Sequence, residues 1–376
     1  MKHITTARLT CTMIMAMAAA SHHAQAQSWN AIDLGVSTAT ALNEAGQVVG
    51  FFSTASGATH AFATGANGSG FVDLGTLGGT NSRAWDINNA GQIVGAADTA
   101  GGTSNAFITT ANAATLTNLG TFGGTNSYAN GINNNGQVLV GYTAAGASRT
   151  ALLTLSTTST KELTPYGYSG HYLVAQTASA SSLNDLGTVV GSKYESCNCT
   201  ANAYVFQGPG YLVTGSSTMD SSASDVNNQN QVVGRMNLTQ GSSGPAYRAG
   251  YAVLSSAGGS TFQDIGTLGG ASAYANGINN AGQIVGAAAT ASGQFHAFLT
   301  GPGGVNMLDL NSLVSLTDGS YLTGATDLND LGQIIASASN GHSYLLSAVP
   351  EPSTLALGLL SGLALALATA QRRRQK

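Results

Sequence analysis

Charge is scarce in this sequence. Only 7% of its 376 residues are Asp, Glu, Lys or Arg, where soluble proteins average about 25%. A chain so poor in acids, bases and phosphate-binding cations holds little material for acid–base catalysis. Its solubility must rest on Ser, Thr, Asn and Gln. Basic residues are scarcer still. Residues 27–348 contain six, Arg83, Arg149, Lys161, Lys193, Arg235 and Arg248, against fifteen carboxylates, a balance of −9. Nucleic acid and anionic lipid both require clustered Lys and Arg, so no nucleic-acid partner is expected. Of three cysteines, Cys11 lies in the apolar N-terminal segment, and Cys197 and Cys199 are too few for a disulfide framework. With His171 they fall short of the four ligands of structural zinc, so the sequence calls for no metal and no cofactor. Glycine, by contrast, reaches 50 residues, which makes isolated Gly-x-Gly stretches uninformative.

Both ends carry processing patterns. Lys2 and Arg8 precede an apolar stretch from Leu9 to Ala20, and Ala24-Gln25-Ala26 fits a small-x-small cleavage site. Residues 1–26 therefore read as a signal peptide, with an apolar run shorter than the ~20 residues a spanning helix needs. At the other end, Val349-Pro350-Glu351-Pro352 is followed by the apolar run Leu355 to Ala370, then by Arg372, Arg373, Arg374 and Lys376. A single hydrophobic helix is expected there, its basic end held cytoplasmic by the positive-inside rule. This order of motif, helix and basic end, residues 349–376, resembles the PEP-CTERM sorting signal. The resemblance implies a Gram-negative host, recognition by an exosortase-type membrane peptidase, transient residence in the inner membrane, and delivery to the cell surface or extracellular matrix. An ordinary single-pass anchor is the plainer alternative.

Between the ends, one unit recurs. The stretch DLGTLGGTNSRAWDINNAGQIVG from Asp73 has close copies from Asn118 and Asp264. Alignment on one Asn gives seven copies, at Asn43, Asn88, Asn133, Asn184, Asn227, Asn279 and Asn329, spaced by 45, 45, 51, 43, 52 and 50 residues. Ala stands four before each Asn, an aliphatic residue one before, and Gly three after, except Asn230 in the fifth copy. Gly and Asn both accept the left-handed conformation, so Asn-x-x-Gly predicts a tight turn with positive φ at its last residue. Each copy contains four short strand candidates: Ala-x-x-(Ile/Leu)-Asn, Gln-(Ile/Val)-Val-Gly, a segment such as His60-Ala61-Phe62, and an Asp-Leu-Gly stretch.

Four strands in 40–45 residues is the mark of a propeller blade. The expected fold is all-β, a seven-bladed β-propeller spanning 27–348. Its blades fall near 36–75, 76–120, 121–164, 165–214, 215–266, 267–310 and 311–347. The last copy lacks a fourth strand, and residues 29–35 supply one, so the N-terminal strand is expected to close the ring. The Ala of every copy suits the innermost strand, where larger side chains would collide. The unit resembles the HAF family of extracellular repeats through LGTLGG, GINNAGQIVG and His60-Ala61-Phe62. That resemblance is strong in copies two, three and six. It implies an extracellular setting and brings no catalytic residues with it.

Uniform Asn-x-x-Gly turns mark one face as structural. The longer connections emerge on the other, where binding loops are expected. Candidate ligand-binding residues there are Tyr166, Tyr168, His171, Tyr172 and Glu195 in copy four, with Arg83, Tyr128, Tyr274 and Tyr321 at corresponding edges. Their rings either stack on sugars or pack the loops onto the blades. Asp86-Ile87-Asn88-Asn89 and Asp327-Leu328-Asn329-Asp330 hold too few carboxylates for calcium, and turn chemistry accounts for them. The expected function is that of a monomeric structural or adhesive surface protein, including exopolysaccharide binding. A hydrolase or lyase acting on that polysaccharide is the alternative.

Overall fold

The computed structural model describes residues 28–111, 115–163, 166–169, 172–175, 178–194, 201–206, 211–214, 220–237, 247–254 and 260–349, with side chains undescribed at 166–169, 172–175, 178, 194 and 211–214. The leader, the Pro350-Glu351-Pro352 triplet, the C-terminal apolar run, His171, Glu195, Cys197 and Cys199 lie outside these residues. Among the described residues, no helix is long and apolar enough to cross a membrane. The main compact unit is Ala31–Ser347. Of the smaller one, residues 28–30 and 348–349 are described, and the Val349 N–H donates to the Ser28 carbonyl at 2.8 Å.

The main unit is all-β and propeller-like, built from antiparallel sheets that follow the repeat. Gly78–Ile87, Ile93–Thr99, Ser104–Thr109 and Leu116–Gly120 form one four-stranded meander. Asn126–Ile132, Gln137–Ala144, Ala147–Thr154 and Ser159–Glu162 form the next. Similar meanders begin at Ala178–Leu183, Ser221–Val226 and Gly269–Ile278, the first extended by Ser260–Thr261 as a parallel fifth strand. The largest sheet has seven strands because Trp29–Leu42 serves two copies. It pairs with Val48–Ser53 on one side and with His342–Ala348 on the other. Contacts 304 to 309 residues apart fix the second pairing: the Ala39 N–H donates to Ser343 Oγ, which donates to the Ser37 carbonyl, and His342 Nδ1 meets Asp33 at 2.9 Å.

Sequence dictates the packing directly. Successive side chains of a strand point to opposite faces, so the (Ile/Val)-Val pair of each second strand serves two interfaces at once. Val49 packs with Ala84, Ile87 and Ile93 of the following sheet, while Val48 packs with Ile335 and Leu345 of the last copy. Val94 joins the cluster of Ala129, Ile132 and Val138, and Leu139 that of Ala180, Leu183 and Val189. A strand buried on both faces must be apolar throughout, at about 1.5–3 kcal/mol for each large side chain buried. The core is thus a series of layers between sheets.

The Ala four before each Asn is buried in all seven copies, at 0–3% exposure. The residue after it is skipped by the ladder: registers shift between Ala39 and Ala41, Ala84 and Asp86, Ala180 and Ser182, Ala223 and Asp225, and Ala325 and Asp327. These are β-bulges. They press the first strand onto the second, so that a Cβ at Gly50, Gly95, Gly191, Gly234 or Gly286 would overlap a carbonyl oxygen of the first strand. The glycine that ends Gln-(Ile/Val)-Val-Gly is needed for that close approach. The turn glycines take the expected left-handed conformation, with φ of 69° at Gly46 and 74° at Gly91, and Asn230 adopts it as well at 56°.

Candidate functional site

The repeated Asn is less a turn residue than a clamp. Asn88 Oδ1 accepts from the Ala90 and Gln92 N–H groups, and its Nδ2 donates to Gln92 Oε1. The second Nδ2 proton goes to the carbonyl of Asn133, the same residue in the next copy. That bond recurs from Asn43 to Asn88, Asn133 to Asn184, Asn184 to Asn227, Asn227 to Asn279, and Asn279 to Asn329. It returns from Asn329 to Asn43, all at 2.8–3.3 Å. A second circuit runs one residue further on. The Glu44 N–H donates to Asn89 Oδ1, Asn89 to Asn134, Asn134 to Asp185, Asp185 to Asn228, Asn228 to Asn280, Asn280 to Asp330, and Asp330 to Glu44 Oε1, at 2.7–3.0 Å. Both circuits close. They surround a polar mouth that opens onto an axial channel between the first strands.

Three carboxylates face that channel, each two residues before the repeated Asn. Asp86 Oδ1 accepts from the Ile87 N–H and Oδ2 from the Ile132 N–H of the next copy at 2.7 Å. Asp225 reaches Ile278 in the same way, and Asp327 reaches Leu42. In the receiving copies the matching position is Gly131, Gly277 and Ala41. A Cβ at Gly131 would stand 2.6 Å from Leu183 Cδ2 and one at Gly277 3.1 Å from the Asp327 Cα, so these two positions stay bare, while the third has only the methyl of Ala41. Turn chemistry therefore does not account for Asp86 and Asp327; they tie neighbouring copies together. Each keeps some surface open to the channel, yet protein crowds the carboxylates, and desolvation pushes Asp86 up to about 7. Asp225 and Asp327 are raised for the same reason, Asp327 further by the charge of Asp225. Among the described residues no group of His, Cys, Asp and Glu is arranged to hold a metal ion.

The histidine column is also a strut. His60 pairs with Asp73, His296 with Asp309 and His342 with Asp33, joining third strand to fourth. Asn105 with Asn118 and Arg149 with Glu162 take the same place in copies two and three.

At the end of the strands remote from the Asn turns, a cleft of about 420 Å³ opens between the second and third sheets. Arg83 and Tyr128, equivalent positions on successive first strands, both line it, with Trp85, Asp98 and Asn126. Tyr128 is 36% exposed, and partial burial raises its hydroxyl pKa. The Arg83 guanidinium lies over the Phe51 ring, 5.3 Å from its centroid, and Trp85 meets the same ring edge-on. Asp98 is fixed by the Asn81 backbone N–H and Nδ2, both to Oδ2, at 3.1 and 2.9 Å.

Tyr274 and Tyr321 are not brought to this cleft. Tyr274 packs between Tyr247 and Phe295, with Arg235 over Tyr247. Tyr321 rests against His296, 5.2 Å between ring centroids. Tyr166, Tyr168 and Tyr172 lie on a hairpin, Tyr166–Ser169 paired with Tyr172–Ala175. Sequence reading missed Trp85, Asp98 and Asp225, and took Asp86 and Asp327 for turn residues. The available signal for the channel carboxylates was the pairing of Asp in one copy with Gly or Ala in the next.

No protein-family model matches the chain, and no curated protein matches it. Solved structures do resemble it. One, from a structural and mechanistic analysis of two prolyl endopeptidases, has 10% identity and a TM-score of 0.52 over 87% of this chain and 51% of that one. The acylaminoacyl peptidase of Pyrococcus horikoshii has 8% identity and a TM-score of 0.51, over 86% of this chain and 54% of the peptidase. TolB from Acinetobacter baumannii gives 11% identity and a TM-score of 0.42, covering 80% of each chain. This chain spans about half the length of the two peptidases. At such identities the likeness to them concerns the propeller-like fold alone.

Proposed function

We propose that the chain is an exported surface or extracellular-matrix protein whose residues 27–348 form a seven-bladed β-propeller closed by the N-terminal strand. This domain acts as a monomeric, non-catalytic adhesive scaffold that holds exopolysaccharide. The tail, Val349 to Glu351 onward, serves as the sorting signal for an exosortase-type peptidase. The observation that carries the scaffold reading is the pair of hydrogen-bond circuits, each passing once through all seven copies. They commit the repeated polar residues of one face to rigidity, which leaves the opposite face, with its aromatic cleft, for contact.

Retention of the purified chain on exopolysaccharide from its host tests the reading. The wild-type protein should be retained, and Tyr128→Ala should weaken retention by about 1–3 kcal/mol, the scale of one stacked ring at a binding site. A fall in viscosity during the incubation would show turnover and reject the non-catalytic assignment.

A further inference from the structure

We infer that the cleft between the second and third sheets takes an acidic sugar, a uronate or similarly charged pyranose, with the ligand carboxylate at Arg83. This deepens the adhesive reading and rests on it. The first support is the state of Arg83. Arg149 and Arg248 are each tied to a carboxylate across the sheet, Glu162 and Asp264. Arg83 is exposed, and among the described residues no carboxylate comes within ion-pairing distance of it, although carboxylates outnumber cations in the domain. Its guanidinium is steadied over the Phe51 ring, and a planar fork of this kind is the group best suited to bidentate capture of a carboxylate.

The second support is the rest of the lining. Asp98 has one oxygen saturated by Asn81, so the other is left to accept sugar hydroxyls. Trp85 and Tyr128 supply ring surface. A uronate presents an apolar ring face, vicinal hydroxyls and a carboxylate on one residue, and this cleft offers a partner to each. A neutral pyranose would leave the guanidinium without its charged partner. The acidic balance of the domain does not prevent the contact, because charges further than about 8 Å away are screened at physiological salt.

Calorimetric titration of the full chain with hexamers of galacturonate and mannuronate, beside maltohexaose and cellohexaose, tests this. An acidic hexamer should bind more tightly than either neutral one, and its affinity should fall as salt is raised. Arg83→Gln should weaken the acidic hexamer by about tenfold or more, with Arg83→Lys recovering part of the loss and thermal melting unchanged in both. Equal affinity for acidic and neutral hexamers, or acidic binding indifferent to Arg83→Gln, overturns the inference. Neutral hexamers bound alone and lost in Tyr128→Ala would sink it while the adhesive reading stands; no binding of any hexamer would sink both.

Discussion

At the scale of single residues, the two exceptions to the repeat turn out to be one feature. Copy four has Thr188 where the other copies have Gln, and copy five has Asn230 where the others have Gly. In three other places the Gln side chain of one turn lies against the turn glycine of the next: Gln137 at Gly187, Gln231 at Gly282 and Gln333 at Gly46. Thr188 is too short for that, and Asn230 fills the gap from the far side. Its Oδ1 accepts from Asn184 Nδ2 at 3.0 Å and from Thr188 Oγ1 at 2.8 Å, replacing the missing glutamine oxygen. Asn230→Gly relieves a left-handed asparagine, yet it should destabilise the protein, by about 1–3 kcal/mol, because it strips an acceptor from buried donors. Thr188→Gln together with Asn230→Gly should restore stability, and a chemical-denaturation double-mutant cycle should give a coupling of about 0.5–3 kcal/mol. Additive effects would refute the compensation.

At the scale of the element, the first strand of each copy does three tasks. Its bulge brings Ala against the second strand, its bulged residue faces the channel, and in three copies its next residue is the aspartate that holds the neighbouring strand. The carboxylates share the channel with one another, and the acidic groups at its mouth are Glu44, Asp185 and Asp330. A carboxyl whose folded pKa is raised binds more protons in the folded state than in the unfolded one. Its contribution is therefore fully present below the unfolded pKa and is lost as pH rises through the folded value. For Asp86 that window runs from about 4 to about 7. Melting temperature should accordingly fall between those values, and the triple change Asp86→Asn, Asp225→Asn, Asp327→Asn should flatten the slope. The three His–Asp pairs are common to both proteins, so the difference in slopes isolates the channel; equal slopes would contradict this account. The strands themselves were legible in the sequence, because alternation, turn glycine and double-sided apolar runs are local signals. The Asp bridges were not. Their meaning depends on which copy stands beside which, and Asp86 beside Asn88 reads locally as one more turn residue.

At the scale of the whole molecule, repetition made the architecture readable and concealed the site. Seven copies, each ending where the next begins, predicted a shared closing strand, because residues 29–35 supply what the last copy lacks. The structure pairs Trp29–Leu42 with both His342–Ala348 and Val48–Ser53. The cleft was only half visible. Arg83 and Tyr128 were legible as polar and aromatic residues at corresponding edges of successive copies, whereas Trp85 and Asp98 come from neighbouring positions whose convergence depends on the bulge. Closure of the circuit through Asn329, Asn43 and the N-terminal strand is the claim on which the scaffold, and the face it leaves for binding, depend. Thermal melting of the chain with residues 29–35 deleted tests it most directly. Loss of Leu34, Asp33 and the strand ladder should expose an edge on the last sheet. The midpoint should drop by several degrees at least, about 1.5–3 kcal/mol being forfeited for the buried Leu34 alone. A midpoint identical to that of the intact chain would contradict closure.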